Sequence, residues 1–376
     1  MSVFVPAVGR TPFGKRTEGL VELLAQAGRE ALERAPSGAV PEALFVGCMA
    51  PGPLAGVENL IPKLADALEL SGIPGFHIDA ASASGAAAFQ SAVHAVASGA
   101  FGSVLVVAGE KMTSAPLTEV TTTLAHSLST LEVLHGGTMP SMAALVSQSY
   151  MDQFKVRIED VSLVTVLNRE AASKNPYAHL QRPVSRDEVN SSRMIASPLR
   201  LLHVAAVSDG ASAALLSRGA SPVEVIGCGQ GTDVSDVVMR ETLTGFRATR
   251  LAARRAYEAA GITRKEVDVA EVHDAFAPFE LIDLEDVGIC GPGEALSWME
   301  KGHGSPSGIV AVNPSGGILG RGHPVGASGL AQIAELSLQL EGEAGKLQAG
   351  RRRLALAQSV GGMGSHNFVT LLRHHG

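Results

Sequence analysis

The sequence contains few aromatic residues and little charge. Of its 376 residues, 4% are aromatic, with a single Trp, and 18% are charged, compared with about a quarter in an average globular protein. Basic residues form one dense run, at 351–353, and the formal net charge is -7. This composition argues against nucleic acid as a partner. The abundant Ala and Gly suit a large, tightly packed core.

Long hydrophobic runs are also missing. No apolar stretch approaches the ~20 residues that span a bilayer, and the first residues lack the charged and then apolar segments of a secretory signal. We therefore expect no membrane association and a cytoplasmic location. A chain of 376 residues has ample core for two halves of ordinary domain size.

Cysteine is rare. Cys48, Cys228 and Cys290 are too few and too scattered for a disulfide scaffold, and none belongs to a CxxC pair that could hold zinc. Cys48 and Cys228 end strand-like runs and are expected to be small buried hydrophobic residues. Cys290 lies in a Gly/Pro-rich loop where it could be exposed, but nothing near it in sequence would activate a thiol. We expect no metal in this chain.

Glycine is abundant, and much of it surrounds one histidine. Residues 313–317 read Asn-Pro-Ser-Gly-Gly, and residues 322–329 read Gly-His-Pro-Val-Gly-Ala-Ser-Gly. Small and turn-forming residues let the backbone pass close to a ligand while presenting the His323 imidazole to it. The alternative is a surface loop that carries an incidental histidine. A second copy of part of the motif favours a functional site.

That second copy indicates an internal duplication. Residues 83–87, Ala-Ser-Gly-Ala-Ala, resemble residues 327–331, Ala-Ser-Gly-Leu-Ala, and each opens a small-residue helix that is followed by a strand-like run. Upstream, both halves also show a strand, a helix and a second strand in the same order. The pattern predicts an α/β fold of stacked layers with halves at 1–220 and 221–376. A more polar loop region at about 111–200 is expected to extend over the surface of the first half.

Two further motifs are associated with predicted strands. Residues 271–276 read Glu-Val-His-Asp-Ala-Phe and place His273 at a strand end, where open α/β folds position their chemistry. Taken alone, His273 could simply be satisfied by the adjacent Asp274. Together with His323 after another Gly-rich turn, two convergent imidazoles are favoured. Residues 358–364 read Gln-Ser-Val-Gly-Gly-Met-Gly and follow a strand, so their backbone N–H groups could stabilise an oxyanion.

Together these motifs resemble the thiolase superfamily over essentially the whole chain. The resemblance rests on the duplicated halves, the Ala-Ser-Gly helix starts, the two histidine motifs and the terminal Gly-Gly-Met-Gly. It implies a duplicated five-layer αβαβα fold, a loop excursion over the active site, and assembly into homodimers or tetramers. His-Asp-Ala-Phe replaces the Asn-Glu-Ala-Phe of biosynthetic and degradative thiolases. This places the chain nearer the sterol-carrier-protein type and the archaeal-like acetyl-CoA acetyltransferases.

The resemblance also implies a two-step acyl transfer in lipid metabolism, with coenzyme A and acyl-CoA as substrates. By position, Ser82 stands where the family has its nucleophile. His323 is then the base that activates the nucleophile and a donor to the thioester oxygen. His273 takes the place of an oxyanion donor that is Asn elsewhere in the family.

Other residues take supporting roles by the same resemblance. Asn313 supports the Gly-rich turn, and backbone N–H groups near residue 82 and at Val360 and Gly361 form a second oxyanion hole. Related proteins of this subgroup often work beside a small zinc-ribbon and OB-fold subunit that binds coenzyme A, and such a partner is a candidate here.

The chain departs from the family at the nucleophile. Where the family reads Cys-Ala-Ser-Gly, residues 82–85 read Ser-Ala-Ser-Gly. A hydroxyl is far less acidic than a thiol with a pKa of about 8.5, so thiolysis through a serine is expected to be slow. The family's second, acid/base cysteine is also absent, because its two known positions hold Gln358 and Ala275. The α-proton is then left to His273 or His323.

Three interpretations of the function remain open. The chain is a thiolase-type acyl-CoA C-acyltransferase, for β-ketoacyl-CoA thiolysis or Claisen condensation with acetyl-CoA, in an inactivated Cys-to-Ser form. Alternatively, it is a CoA-thioester retro-aldol lyase, or a non-catalytic CoA-thioester-binding subunit. Aldolase relatives rely on active-site tyrosines, whereas Tyr150, Tyr177 and Tyr257 lie outside the motifs. This favours the transferase.

Overall fold

The computed structural model describes residues 2–375. The strands, in chain order, are β1 (Val3–Arg10), β2 (Ala43–Gly47), β3 (Gly75–Ile78), β4 (Ser103–Glu110), β5 (Met194–Ala196), β6 (Leu199–Arg200), β7 (Gly210–Ser217), β8 (Val223–Thr232), β9 (Val269–Glu271), β10 (Ala311–Val312), β11 (Leu354–Gly361) and β12 (His366–His374).

The α-helices, in chain order, are α1 (Leu20–Arg34), α2 (Pro51–Ala55), α3 (Leu60–Ala67), α4 (Ser84–Ser98), α5 (Leu117–Ala125), α6 (Thr130–Leu134), α7 (Met139–Phe154), α8 (Ile158–Ala172), α9 (Arg186–Ser191), α10 (Arg247–Ala260), α11 (Ala277–Asp286), α12 (Ala295–Glu300), α13 (Gly317–Arg321) and α14 (Ser328–Glu341).

The sheet topology repeats between the two halves. A ten-stranded sheet has the order β10-β9-β11-β12-β8-β1-β7-β4-β2-β3, and β5 pairs with β6 separately. The order divides into two sets of five strands, joined by a short pairing of β1 with β8. In each set, the three strands farthest from this joint are parallel, and the next two pairings are antiparallel. The predicted internal duplication is therefore confirmed.

Helices cover both faces of each set of strands. Along β4, Val104 and Val106 share a hydrophobic cluster with α4, whereas the alternating Leu105 and Val107 share one with α1. Successive side chains of a strand point to opposite faces, so α4 and α1 lie on opposite sides of this half. Helix α14 contacts β11 as well as β7, and α10 packs on β8 and β12. The implied five-layer αβαβα arrangement is confirmed.

The two helix starts that share the Ala-Ser-Gly motif meet at the centre of the molecule. A Cβ atom at Gly329 would lie 2.9 Å from the Cβ of Ala86, and one at Gly85 would lie 2.6 Å from the carbonyl oxygen of Gly326. Both distances are too short for a side chain, so glycine at these positions permits the close approach of α4 and α14. This contact brings the residue before α4 close to the loop before α14.

The region at 111–200 is largely helical, contrary to the loop region expected from its polar composition. It contains helices α5 to α9 and the β5–β6 ribbon. Ala143, Val146 and Tyr150 of α7 are buried. The polar residues that dominate this part of the sequence occupy the outer faces of the helices.

Two predicted strand limits also differ from those observed. Strand β9 ends at Glu271, so His273 lies beyond the strand and not within its last position. Strand β11 continues through Gly361, so the motif that begins at Gln358 lies mostly inside the strand and not after it. At each of these strand ends a side chain accepts a hydrogen bond from a backbone N–H group, Asn313 from Val272 and Asn367 from Gly361. Hydrophobic patterning does not reveal such bonds.

Candidate active site

Ser82 lies in a tight turn that leads from β3 into α4, and its side chain is 7% exposed. The preceding Ala81 has φ 52°, a left-handed conformation that is unfavourable for a residue with a Cβ atom. Ser84 holds this turn, because its hydroxyl oxygen accepts from the Ala80 N–H at 2.9 Å and its proton is donated to the Ala81 carbonyl at 2.6 Å. The turn places Ser82 at the positive end of the α4 dipole.

The Ser82 hydroxyl donates to the carbonyl oxygen of Val360 at 2.7 Å. Since a hydroxyl has one proton, Ser82 does not donate to an imidazole in this geometry. Gly361 lets β11 approach this closely, because a Cβ there would lie 2.6 Å from the Ala80 carbonyl. The N–H of Gly361 donates to the Asn367 side chain at 3.2 Å. Gly361 thus supports the turn, and its amide already has a partner.

His323 lies in the loop between α13 and α14. Its Nδ1 is 2.7 Å from the hydroxyl oxygen of Ser328, and that hydroxyl donates to the Pro324 carbonyl at 3.0 Å. With its one proton used in this way, the Ser328 oxygen accepts from Nδ1–H. We therefore assign the His323 tautomer that leaves Nε2 with a free lone pair, as a general base requires.

His273 lies opposite His323, with the two ring centroids 5.2 Å apart and the rings 78° from parallel. Its backbone N–H donates to the Gln358 side chain at 2.8 Å, while its buried Nδ1 has no hydrogen-bond partner in the part of the chain that the structure describes. Asp274 accepts instead from the backbone N–H groups of Ile318 and Leu319 at the start of α13. The alternative in which Asp274 satisfies His273 is therefore wrong.

A buried ion pair adjoins the two imidazoles and was not found from the sequence. Arg321 Nη1 lies 3.6 Å from Glu271 Oε2, which also accepts from the Ser315 hydroxyl at 2.8 Å. Burial raises the pKa of Glu271 to about 7. The signal was present in sequence, because Glu271 and Arg321 each lie two residues before a site histidine.

Both imidazoles are held neutral. Burial, and secondarily the Arg321 charge, lowers the pKa of His323 to about 3. Burial lowers the pKa of His273 well below its usual value, and His323 and Arg321 add to this effect. At physiological pH each ring is therefore neutral, which lets each offer one nitrogen as donor and the other as acceptor.

Asn313 holds the strand that precedes His273. Its φ of 45° is left-handed, and its side-chain oxygen accepts from the Val272 N–H at 2.8 Å. Its amide donates to Glu280 at 2.6 Å. Asn313 is buried and does not belong to the pocket wall, so the structure places it as a support.

A second buried network, also missed from the sequence, connects His273 to β11 and β12. Gln358, whose oxygen accepts from the His273 N–H, donates to Asp283 at 2.8 Å and to the Thr249 hydroxyl oxygen at 3.3 Å. Thr249 also accepts from the Asn367 amide at 2.8 Å. The backbone N–H of Gly361, next to Val360, completes the chain by donating to Asn367.

Ser82, His273, His323 and Val360 all face one cavity of about 700 Å³. Its other walls come from α5, from residues 193–207 and from the start of α11, and they are mostly apolar. A cavity of this size is in the range that binds small-molecule ligands. The predicted site residues are thus brought together, apart from Asn313 and Gly361, which lie behind the wall.

The cysteine thiols do not supply a nucleophile here. Cys48 is buried and its thiol donates to Glu110 at 3.3 Å. Cys228 and Cys290 are partly buried, and burial raises the pKa of each to about 12. All three thiols therefore remain protonated at physiological pH.

Within residues 2–375, no group of three or more His, Cys, Asp or Glu side chains is arranged to hold a metal ion. None of the helices in this range is both long and apolar enough to cross a membrane.

Two family models match the chain. One described as "Thiolase, N-terminal domain" covers residues 3–220, and one described as "Thiolase C-terminal domain-like" covers residues 229–374.

Relatives are similar over nearly the whole chain. Acetyl-CoA acetyltransferase of Methanothermobacter thermautotrophicus is 36% identical, with coverage of 96% of this chain and 97% of the relative. Human Sterol carrier protein 2 is 31% identical, with coverage of 99% of this chain and 72% of the relative.

Solved structures at lower identity share the fold. The Ltp2-ChsH2(DUF35) aldolase superposes with a TM-score of 0.85 at 21% identity and covers 100% of this chain and 98% of its own. Human mitochondrial 3-ketoacyl-CoA thiolase gives a TM-score of 0.74 at 18% identity, with coverage of 100% and 99%.

Proposed function

Because the chain belongs to the thiolase family, we propose that it transfers acyl groups between coenzyme A thioesters, by thiolysis of a β-ketoacyl-CoA or the reverse Claisen condensation. The observation that carries the proposal is the convergence of Ser82, His273 and His323 on one cavity at the start of α4. These residues come from both halves of the chain, so the site depends on the duplicated fold.

In the proposed thiolysis, residue 82 attacks the β-keto carbonyl of the substrate and its proton passes to His323 Nε2. The bond between the α- and β-carbons then breaks. The leaving acetyl-CoA enolate, whose oxygen is stabilised by a donor from His273, takes up at its α-carbon the proton that His323 had accepted. In the second step the thiol of coenzyme A gives its proton to His323 and attacks the acyl carbonyl. The bond between the acyl group and residue 82 then breaks, residue 82 recovers its proton from His323, and the shortened acyl-CoA is released.

The serine limits this chemistry. An alkoxide forms far less readily than a thiolate, and the Ser82 proton is directed to the Val360 carbonyl and not to His323. Both effects slow formation of the acyl-enzyme, although the positions of the imidazoles and of the α4 dipole are compatible with a reactive thiolate. We propose that the site is built for acyl transfer and that Ser82 keeps its covalent step slow.

A retro-aldol lyase is the second candidate function. It is favoured by the Ser82 hydrogen bond to Val360, because aldol cleavage needs a base and an oxyanion hole but no covalent intermediate. The fold likeness to the Ltp2-ChsH2(DUF35) aldolase is compatible with this chemistry. That structure also makes a DUF35-type partner subunit a candidate for this chain. A non-catalytic CoA-thioester-binding subunit is the third alternative.

Ser82→Cys tests the proposed acyl transfer. The thiol would stand at the start of α4 beside His323, so we expect a stable acyl adduct after incubation with acyl-CoA, measured by intact mass spectrometry. The matched control is Ser98→Cys, which adds an exposed thiol at the opposite end of the same helix. It should form no acyl adduct. A folded Ser82→Cys protein without an adduct would contradict acyl transfer.

A further inference from the structure

A third histidine, which the proposed mechanism does not use, lies behind the loop of His323. His179 is on the segment that follows α8, and its ring nitrogen Nδ1 is 2.9 Å from the hydroxyl oxygen of Ser208. The same oxygen accepts from the backbone N–H of His323 at 3.2 Å. One buried hydroxyl therefore connects the His179 ring to the backbone of the candidate base.

The direction of each hydrogen bond at Ser208 follows from its single proton. The hydroxyl donates that proton to the carbonyl oxygen of Ala206 at 2.9 Å. Its oxygen then offers only lone pairs, so we assign to His179 the tautomer that donates from Nδ1–H. The N–H of His323 is the second donor to this oxygen. A buried hydroxyl with all its bonds made has one favoured orientation.

Close packing holds the His323 loop against these two side chains. A Cβ atom at Gly322 would lie 2.6 Å from the hydroxyl oxygen of Ser208 and 3.0 Å from the Cβ of His179. The backbone N–H of His179 donates to the carbonyl oxygen of Arg321 at 2.9 Å. His179 and Ser208 thus contact each residue from 321 to 323, and the loop cannot shift without disturbing them.

The segment of His179 also contributes to the cavity. Leu180 and Arg182 line it, whereas His179 is partly buried and does not. Any effect of His179 on the site therefore passes through Ser208 and not through contact with a ligand. Burial lowers the pKa of the His179 ring. Protonation would add a proton at Nε2 and leave the Nδ1–H donor in place, so the bond to Ser208 does not depend on pH.

We propose that His179 is a positioning residue that fixes the backbone of His323 through Ser208, and so keeps the imidazole of His323 where it can take the proton of residue 82. The inference rests on the proposed function for the role of His323 as the base. Without the Nδ1–H donor, the Ser208 oxygen has an unfilled acceptor site and the hydroxyl is free to rotate away from the His323 N–H. A misplacement of about 1 Å can lower a catalytic rate by about 10².

His179→Leu tests the proposal, because leucine occupies the space of the ring and donates no hydrogen bond. In a Ser82→Cys background, we expect the rate constant for acyl-adduct formation to fall by about 10–100-fold. The Kd for acyl-CoA should stay within about twofold of the parent, because the loss falls on the chemical step and not on binding.

His179→Asn should restore the rate to within about threefold of the parent, because the asparagine amide nitrogen can stand where Nδ1 stands and donate to Ser208. Asparagine does not titrate, so the pH profile of acylation in this variant should match that of the parent. An asparagine variant as slow as the leucine variant would overturn the proposal, since His179 would then act by some means other than donation from Nδ1.

His303→Leu is the matched control, because His303 is likewise partly buried but lies against Trp298 and does not line the cavity. It should leave the acylation rate unchanged. A folded His179→Leu protein that acylates at the parent rate would also overturn the proposal. If His179→Leu does not fold, His179→Ala replaces it.

Hydrogen exchange in the unmodified chain separates this proposal from the proposed function, because it needs no acyl-CoA. In peptides that span 320–326, measured by mass spectrometry, we expect at least about tenfold faster exchange in His179→Leu than in wild type or His179→Asn. If Ser82→Cys is not acylated but exchange responds in this way, acyl transfer is wrong and the positioning role stands. Unchanged exchange overturns the positioning role, whether or not Ser82→Cys is acylated.

Discussion

The two imidazoles of the cavity are both neutral, yet their hydrogen bonds suit them to different work. His323 has its Nδ1 proton engaged by Ser328 and a free lone pair on Nε2. His273 is fixed through its backbone by Gln358, and its Nδ1 has no hydrogen-bond partner among residues 2–375. A base next to the nucleophile and a separate oxyanion donor are the two functions that these arrangements favour.

In a Ser82→Cys background, His323→Ala should abolish formation of the acyl adduct, because no group would accept the thiol proton. His273→Ala should still form the adduct in a single turnover. It should lose about 10²–10³ in overall thiolysis, the usual effect of removing one oxyanion donor. Intact mass reports the first step and release of free acyl-CoA the second. If His273→Ala blocks the adduct as fully as His323→Ala, the two rings act as one unit.

A second prediction concerns how the protonation of Glu271 makes the folding stability depend on pH. Its folded pKa is raised to about 7 from 4.5, mainly by burial. The folded state therefore binds the proton more tightly than the unfolded state. The resulting stabilisation is fully present below pH 4.5 and is lost as pH rises through about 7.

Glu271→Gln retains a neutral side chain and removes this titration. The free energy of unfolding of wild type relative to the variant should fall by up to about 3 kcal/mol between acid and neutral pH. Urea denaturation at several pH values measures it. Glu300→Gln, at an exposed position of α12, is the control and should show no such fall. A constant difference between wild type and Glu271→Gln would show that Glu271 ionises normally.

Among secondary-structure elements, β11, β12, α10 and α11 are tied together under the site by one threonine. The Thr249 hydroxyl accepts from Gln358 and from Asn367 and donates to Asp283 at 3.3 Å. Through these partners, the first turn of α10 is linked both to the His273 backbone and to the backbone beside Val360. We expect this network to hold His273 and the backbone beside Val360, the candidate oxyanion donors, in fixed positions relative to each other.

Thr249→Val keeps the shape and removes the hydroxyl. Leaving buried amides unpaired costs about 1–3 kcal/mol of stability. Displacement of the site should also lower kcat of Ser82→Cys by up to about 10² with little change in KM. Thr370→Val is the control, since Thr370 is buried on β12 and accepts from Gln90 at 3.1 Å without a link to His273. Equal losses of kcat in both variants would show that the network acts only on stability.

At the scale of the whole molecule, the ten-stranded sheet has two ends of different character. Strand β10 is two residues long and largely buried, whereas β3 is an edge strand with Phe76 47% exposed. An exposed edge with an aromatic side chain is a pairing surface unless something covers it. The family resemblance implies a homodimer, and β3 is where we expect a second copy to pair.

Light scattering should therefore give at least a dimer for the wild-type chain, and Phe76→Glu should shift it toward monomer by placing a charge in the interface. Ile309→Glu is the matched control, because Ile309 is 64% exposed and precedes β10, the strand at the other end of the ten-stranded sheet. It should not change the mass. A wild-type monomer at micromolar concentration would contradict the dimer.

Much of the fold was predictable because its signals are local. The duplicated order of strands and helices, the helix over 247–260 and the buried small-residue helix after Ser82 follow from periodicity and from Gly or Ser at the helix ends. The helices within 111–200 were missed because their outer faces are polar, while the inner faces of α7 and α8 pack on helices of the other half, such as α11 and α13. Composition averages over both faces and so conceals an amphipathic helix.

The sequence by itself indicated the candidate site residues, since glycine-rich turns around His323 and a histidine after a strand are unusual enough to mark a site. Only the tertiary structure decided what surrounds them. The partner of Asp274, the tautomer of His323, the direction of the Ser82 proton and the burial of Arg321 beside Glu271 all depend on residues far apart in the chain. Hydrogen bonds and desolvation act over a few ångströms in space, and a sequence records spacing along the chain and not those distances.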